Sequence, residues 1–258
     1  MSVKVDGQDV FLASGTKEYS NSKQSIVCLH GSGLDHTCWL ALLNKLENEN
    51  YNLIIPDFPG HGCSDGHSLR SITEQSEWLD KLLQTLECES PIIIGHSQGG
   101  LVALNYCCNL NNVQKLILVN SSSKISVHPD LINLAKQNDE KAVDLMLKWA
   151  YTGHEKNYTT ERVARKIIMS RTLSQTLAVD FMACNNYQID EEHIKKIRVP
   201  TLIISSENDK MIPSSLSSEL QKIIENSEIK TMENTGHMAI LEEFSKVGDL
   251  IGSFLSKA

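Results

Sequence analysis

The chain has 258 residues, a formal net charge of −8, 41% hydrophobic residues and 22% charged residues. This composition is that of an ordinary globular protein and excludes a disordered or collagen-like chain. The acidic balance argues against a nucleic-acid partner, which would favour a basic excess. No apolar run approaches the roughly 18 residues that span a bilayer, and the N-terminus lacks the apolar region of a secretory signal. We therefore expect a cytoplasmic protein without a membrane span.

Seven cysteines are scattered along the chain, mostly inside apolar runs. They form no C-x-x-C pair and have no His/Cys spacing suited to zinc. The pattern predicts reduced thiols that behave as small core residues, and it predicts no metal site.

The first predicted element is an antiparallel hairpin, in which Val3–Val5 and Val10–Ala13 flank the turn Asp6-Gly7. Apolar runs that are rich in β-branched residues then recur along the chain. Each is continuous rather than alternating in hydrophobicity, as expected of strands that are buried on both faces of a parallel sheet. The six runs are Ser25–Leu29, Asn52–Pro56, Pro91–Ile94, Lys115–Val119, Thr201–Ser205 and Glu228–Met232.

Helical patterns separate most of these strands, and such alternation predicts a mostly parallel sheet with helices on both faces. They cover Ser71–Leu86, Leu101–Leu110, Leu216–Ile224 and Val247–Leu255. The alternation stops over residues 122–197, which contain no convincing strand and read as several helices. We therefore predict a core formed by residues 1–121 and 198–258, with residues 122–197 inserted as a helical cap.

One strand-to-helix junction carries a candidate nucleophile. The strand that begins at Pro91 leads into Gly95-His-Ser97-Gln-Gly99, a G-x-S-x-G motif, and a helix follows at once. Glycine is needed on both sides because the turn is too tight for a Cβ atom, and the turn exposes the serine hydroxyl above the sheet edge. The motif alone is weak evidence, but in this position it strongly predicts a catalytic serine at Ser97.

A serine hydroxyl needs a base, and the base needs a group to orient it. His237 follows the last strand on a loop marked by Gly236, at the same predicted sheet edge as Ser97. An acid that lies between the serine and the histidine in chain order is Asp209, directly after the preceding strand. Glu207 is a less favoured acid two residues away.

These motifs resemble those of serine hydrolases of the α/β-hydrolase superfamily, from His30-Gly-Ser-Gly33 through Asp57-Phe-Pro-Gly-His-Gly62 to Gly236-His237. Within that superfamily, the chain is similar to small capped esterases that include pimeloyl-carrier-protein methyl ester esterases. The resemblance implies an α/β-hydrolase fold with about eight strands and a Ser97-Asp209-His237 triad. It also implies an oxyanion hole made by the backbone N–H groups of Ser32 and Gln98. No cofactor or metal is needed for this chemistry.

The residue type of the nucleophile narrows the class of reaction. Related dehalogenases and epoxide hydrolases carry an aspartate where this chain has Ser97. A carboxylic ester hydrolase that forms an acyl-enzyme is therefore favoured. A C–C bond hydrolase, a thioesterase or a lyase could use the same three residues. A ligand-binding signalling protein that keeps the triad without turnover is a further alternative.

Other residues near these motifs have weaker predictions. His30, Asp57 and His61 are expected to shape their turns rather than to react. In the predicted cap, Trp149 and Met146 are candidates for an acyl pocket, although residues at helical spacing more often form the core.

A protein partner is the least secure expectation. The cap has more basic than acidic residues although the chain as a whole is acidic, and Arg162, Arg165 and Lys166 fall on one helical surface. The resemblance makes an acidic acyl carrier protein the natural candidate, whereas a solvated helix with no partner is the simpler interpretation.

Overall fold

The computed structural model describes residues 1–15, 19–20, 22–46, 50–110, 113–138, 140–171 and 176–257. A single eight-stranded sheet runs through it in the order β1-β2-β4-β3-β5-β6-β7-β8. The strands are β1 (Ser2–Val5), β2 (Gln8–Ser14), β3 (Gln24–Leu29), β4 (Tyr51–Pro56), β5 (Ile92–His96), β6 (Lys115–Val119), β7 (Thr201–Ser206) and β8 (Ser227–Met232). The first two pair antiparallel and β2 is antiparallel to β4, whereas the pairings among β3 to β8 are all parallel. The predicted fold class is confirmed.

The continuous hydrophobicity of β3 to β7 follows from burial on both sides. The expectation for Glu228–Met232 is wrong, because β8 lies at the edge of the sheet and only Met232 in it is fully buried. In β3, Ile26 and Cys28 belong to one apolar cluster, while Val27 and Leu29 belong to the other. Successive side chains of a strand point to opposite faces, so the sheet separates two apolar layers, each covered by helices.

The helices that cover the sheet include those predicted, with ends shifted by a few residues. They are α1 (Leu43–Leu46), α2 (Ile72–Thr85), α3 (Gln98–Leu110), α9 (Ser214–Ile223), α10 (Ala239–Glu242) and α11 (Phe244–Leu255), together with a 3₁₀ segment at His36–Leu42. No element is predicted from the sequence at 36–46, because that stretch is short and has no clear period.

The described residues between β6 and β7 form five helices: α4 (Pro129–Lys136), α5 (Lys141–Ala150), α6 (His154–Arg171), α7 (Thr176–Asn186) and α8 (Glu191–Ile194). We call residues 122–197 the insert. Residues 139 and 172–175 of the insert lie outside the described part of the chain, and the rest contains no strand. Within the described residues, no helix is long and apolar enough to cross a membrane.

Candidate active site

The turn at Ser97 has the strained geometry expected of an exposed nucleophile. Ser97 has a φ of +53°, a left-handed conformation that side chains other than glycine rarely adopt. A Cβ on Gly95 would lie 2.3 Å from the Gly99 carbonyl oxygen, and a Cβ on Gly99 would lie 2.4 Å from that of Leu29. Both positions therefore require glycine, and the turn holds Ser97 at the end of β5 and the start of α3.

The structure brings Ser97, His237 and Asp209 together. The Nε2 atom of His237 lies 2.9 Å from the hydroxyl oxygen of Ser97, and its Nδ1 atom lies 2.8 Å from Oδ2 of Asp209. All three residues are buried, Ser97 being 8% exposed. Their elements are far apart in sequence, but parallel strands bring their carboxyl ends to one edge of the sheet. This is the arrangement of a nucleophile, a base and an orienting acid.

Asp209 is fixed as an anion by several donors. Its Oδ1 atom accepts hydrogen bonds of 2.8 Å from the backbone N–H groups of both Met211 and Ile212, and its Oδ2 atom accepts one of 3.0 Å from Asn120. Burial alone would raise the pKa of Asp209, but the charge and hydrogen bond of His237 and the two N–H donors bring it below the ordinary value. Sequence reasoning missed Asn120, whose only signal is its position directly after β6.

The predicted oxyanion-hole residues lie next to the nucleophile. Gln98 is the first residue of α3, so its N–H group has no acceptor within the helix and stands at the positive end of the helix dipole. Ser32 lies on the loop after β3, and its hydroxyl donates a hydrogen bond of 2.7 Å to the side-chain carbonyl of Gln98. The two predicted donor residues are thus linked by a hydrogen bond between their side chains.

Two buried histidines brace this region in their neutral forms. Phe58 N–H donates to Nε2 of His30 at 3.1 Å, while Nδ1 of His30 donates to the Gly31 carbonyl. His96 donates from Nε2 to the His237 carbonyl at 3.0 Å. Burial, reinforced by a neighbouring histidine in each case, lowers the pKa of His30 to about 4 and that of His96 to about 3.

A pocket of about 550 Å³ opens beside Ser97 and His237. Apolar side chains of the insert form much of its wall, and Trp149 is one of them. Met146 lies on the same helix, α5, but it is 3% exposed and packs in the apolar core. The structure therefore brings Trp149 to the pocket, and it places Met146 among core residues. The lining is Ser97, Ile125, Ser126, Val127, His128, Pro129, Leu131, Trp149, Lys210, Met211, Ile212 and His237.

The predicted partner-binding residues lie on α6, around a separate pocket of about 530 Å³. Arg162, Arg165 and Lys166 do share one surface there, together with Val163, which is 46% exposed. Arg165, however, pairs with Asp144 and with Glu140 on the preceding part of the insert. Part of the positive charge of this surface is thus neutralised within the chain.

One group among the described residues could in principle hold a metal ion, formed by Asp35, His36 and Asp57. Hydrogen bonds within the protein already engage these carboxylates. Asp57 accepts from His36 and from Cys63 N–H, and Asp35 caps the 3₁₀ segment. The seven cysteines are all unpaired, and five of them are buried.

Comparison with known proteins gives the family. The model of the alpha/beta hydrolase family matches residues 26–247, which includes the strands of the parallel sheet, Ser97, Asp209 and His237. The chain belongs to the alpha/beta hydrolase family.

Relatives are spread over several hydrolase activities. The chain is 28% identical over 249 residues to the AB hydrolase superfamily protein YisY of Bacillus subtilis, covering 89% of this chain and 90% of the relative. It is 25% identical over 257 residues to the monoacylglycerol lipase ABHD6 of Bos taurus, covering 91% and 76%. A solved structure of a thermophilic esterase superposes with a TM-score of 0.82 at 29% identity, covering 99% and 96%. These similarities support ester hydrolysis in general.

Proposed function

We propose that this protein is a serine esterase that cleaves carboxylic esters through an acyl-enzyme. The observation that carries the proposal is the continuous chain of hydrogen bonds from Ser97 through His237 to Asp209, with distances of 2.9 and 2.8 Å. The strained, glycine-flanked turn that places Ser97 in the lining of the pocket supports the same assignment.

In the acylation step, Ser97 Oγ attacks the ester carbonyl carbon while Nε2 of His237 takes the hydroxyl proton. Asp209 accepts the Nδ1 hydrogen of His237, holds the tautomer that leaves Nε2 free to act as base, and stabilises the imidazolium that forms. The oxyanion is bound by the backbone N–H groups of Gln98 and Ser32. When the tetrahedral intermediate collapses, His237 returns the proton to the leaving alcohol, and the acyl group remains on Ser97.

Water completes the cycle. His237 takes a proton from a water molecule whose oxygen attacks the acyl carbon, and the same N–H groups stabilise the second oxyanion. Collapse releases the carboxylic acid and returns the proton to Ser97 Oγ. The bond between Ser97 Oγ and the acyl group is broken again, so the enzyme is regenerated and one water molecule is consumed in each cycle.

The proposed substrate is a small ester with an apolar part. The pocket of about 550 Å³ beside Ser97 lies within the range of small-molecule sites, and much of its lining is apolar. We propose that the insert acts as a cap whose residues, Trp149 among them, contact the acyl chain.

A panel of p-nitrophenyl esters from two to twelve carbons, run beside labelling of Ser97 by a fluorophosphonate, tests the proposal. Rapid labelling and turnover of one part of the panel are expected. Labelling with turnover only of thioester or C–C substrates would replace ester hydrolysis by one of those reactions on the same residues. Neither labelling nor turnover would favour a ligand-binding protein.

Docking of an acidic acyl carrier protein at Arg162, Arg165 and Lys166 stays a prediction, as does a cytoplasmic location. The names of the relatives do not support the carrier partner, and the pairing of Arg165 within the insert weakens it.

A further inference from the structure

Asp180 is another buried carboxylate, and the proposed reaction makes no use of it. It lies on α7 of the insert and is 0% exposed. A buried charge costs several kcal/mol unless other groups compensate it, so its partners in this position must be strong. Those partners all belong to the core.

Three separate segments of the core donate hydrogen bonds to Asp180. Its Oδ2 atom accepts from Gly33 N–H at 2.8 Å and from Nε2 of His61 at 2.8 Å, and its Oδ1 atom accepts from the side-chain amide of Gln98 at 3.3 Å. Gly33 directly follows Ser32 on the loop after β3, and Gln98 directly follows Ser97. One carboxylate thus holds both segments that supply the proposed oxyanion-hole donors.

The contacts around His61 indicate that it is the cationic partner of this carboxylate. Its Nδ1 atom faces the Pro59 carbonyl at 3.1 Å while Nε2 faces Asp180, so both ring nitrogens meet acceptors and both must carry hydrogens. Burial alone would lower the pKa of His61, but the charge and hydrogen bond of Asp180 bring it above the ordinary value. The ion pair joins the insert to the turn that contains His61.

The Gln98 side chain extends the connection to Ser32. Its amide donates to Asp180 and, at 3.0 Å, to Gln75 of α2, while its carbonyl accepts from the Ser32 hydroxyl. The orientation of this side chain is therefore set from both sides, and it fixes the spacing between the Ser32 loop and the start of α3. Oxyanion stabilisation is sensitive to such spacing, because the N–H groups must lie about 2.7–3.1 Å from the oxyanion.

We infer that Asp180 is a positioning residue of the oxyanion hole, so that the hole is assembled only while α7 of the insert is seated on the core. The inference rests on the proposed function, since it concerns the same reaction. It assigns to the insert a part in catalysis beyond lining the pocket.

The test compares Asp180→Asn with Tyr187→Phe. Asparagine keeps the size of the side chain but removes the charge and replaces one acceptor by a donor. Tyr187→Phe removes a buried hydrogen bond of 3.1 Å between the segment that follows α7 and Asn105 of α3, away from the oxyanion segments. It is therefore a control for loosening of the insert in general. Thermal unfolding reports the stability lost by each variant.

For Asp180→Asn we expect kcat with a short p-nitrophenyl ester to fall by about 10- to 100-fold while KM stays within about twofold, because the oxyanion forms only after binding. The affinity for phenylboronic acid, whose adduct with Ser97 places an oxygen in the hole, should fall by a similar factor. Tyr187→Phe should leave both quantities within about twofold of the unchanged enzyme.

An Asp180→Asn enzyme with unchanged kcat, or with reduced kcat but unchanged boronic acid affinity, would overturn the inference, as would an equal loss in Tyr187→Phe. If Asp180→Asn does not fold, Gln98→Met tests the same connection from the core, since it keeps the backbone N–H group but loses the three side-chain hydrogen bonds to Asp180, Gln75 and Ser32. An unchanged kcat there would also overturn it. Failure of the proposed function is a separate result, because the unchanged enzyme would then neither turn over esters nor bind the boronic acid.

Discussion

The carboxyl edge of the sheet and the outer surface of α6 both present polar residues, but they hold them in different ways. At the sheet edge, Asp209 is buried and receives hydrogen bonds from His237, Asn120 and two backbone N–H groups. On α6, Arg165 is 36% exposed and its partners are side chains of the insert that are more exposed still. Buried polar groups cannot rearrange without losing partners, whereas exposed ion pairs are worth little.

This difference in burial determines which of the two regions can hold reacting groups in a fixed geometry. The backbone turn fixes Ser97, and surrounding hydrogen bonds hold His237 within hydrogen-bond distance of both Ser97 and Asp209. The charges on α6 can form and break contacts with water at small cost, so they suit at most a salt-sensitive encounter. The effects of substitutions on activity should therefore differ by orders of magnitude between the two regions.

The largest expected effect is that of Ser97→Ala. Hydrolysis of p-nitrophenyl esters should fall by about a millionfold in kcat, as for other catalytic serines, because no other group can carry the acyl chain. Circular dichroism and the melting temperature should show an intact fold. A variant that kept a tenth of the activity would remove Ser97 from the mechanism.

Asp209→Asn should follow, with kcat reduced by about ten-thousandfold, because the amide favours the wrong tautomer of His237. Steady-state kinetics across pH 5 to 9 measure the loss. A matched change at the neighbouring acid, Glu207→Gln, should leave kcat within about twofold, since Glu207 accepts a hydrogen bond from the backbone N–H of Asn234 whereas His237 pairs with Asp209. Equal losses for the two variants would contradict the assignment of Asp209.

The buried histidines of the sheet edge should make stability depend on pH. The pKa of His30 is lowered to about 4 and that of His96 to about 3, so the unfolded chain binds protons that the folded protein does not. The free energy of unfolding should thus fall as pH drops from about 6.5 toward 4, by about 1.4 kcal/mol per pH unit for each histidine.

Urea unfolding between pH 6.5 and 4 measures this slope. Replacing one of the two residues, in His96→Phe, should reduce the slope by about 1.4 kcal/mol per pH unit whatever its effect on stability at neutral pH. An unchanged slope in His96→Phe would show that His96 is not held neutral.

Trp149 and Met146 both lie on α5, but substitution of the first should affect substrate binding and substitution of the second should affect stability. Trp149 lines the pocket, so Trp149→Ala should raise KM for longer acyl chains by about tenfold, consistent with the loss of about 1–2 kcal/mol of apolar contact. Met146→Ala should instead cost about 2–5 kcal/mol of stability and leave chain-length preference unchanged. The opposite assignment of the two effects would place Met146 in the substrate site.

The smallest effect is expected on α6. Changing Arg162, Arg165 and Lys166 to Glu should leave hydrolysis of small esters unchanged, and it should raise KM only for a carrier-bound ester if a carrier docks there. Measurement at low and high salt with both substrates checks this. A loss on small esters would mean that these charges act on the site itself.

The strands and the turn at Ser97 could be predicted because their signals are local. The run Lys115–Val119 is apolar after its first residue, and both its bounds match β6. Ser97 is marked by the glycines on either side, which the close backbone packing of the turn requires, and Asp209 and His237 each follow a strand in the expected order. The resemblance to a known family supplied the candidate oxyanion donors.

What could not be predicted depends on contacts between distant segments. Asp180 looks like any polar residue of a helix, and its partners Gly33, His61 and Gln98 lie 82 or more positions away. Asn120 likewise gains its role only when β6 and β7 are adjacent. Burial of Met146 rather than exposure to the pocket depends on how α5 is rotated, which periodicity alone does not fix.

The most direct test of the central claim is to trap the covalent intermediate. The protein is mixed with an activated ester, quenched in acid within the first turnover, and analysed by intact-protein and peptide mass spectrometry. The account predicts a mass increase equal to one acyl group, located on Ser97 and absent from Ser97→Ala. Ester turnover with no acylated protein, or with the acyl group on another residue, would contradict it.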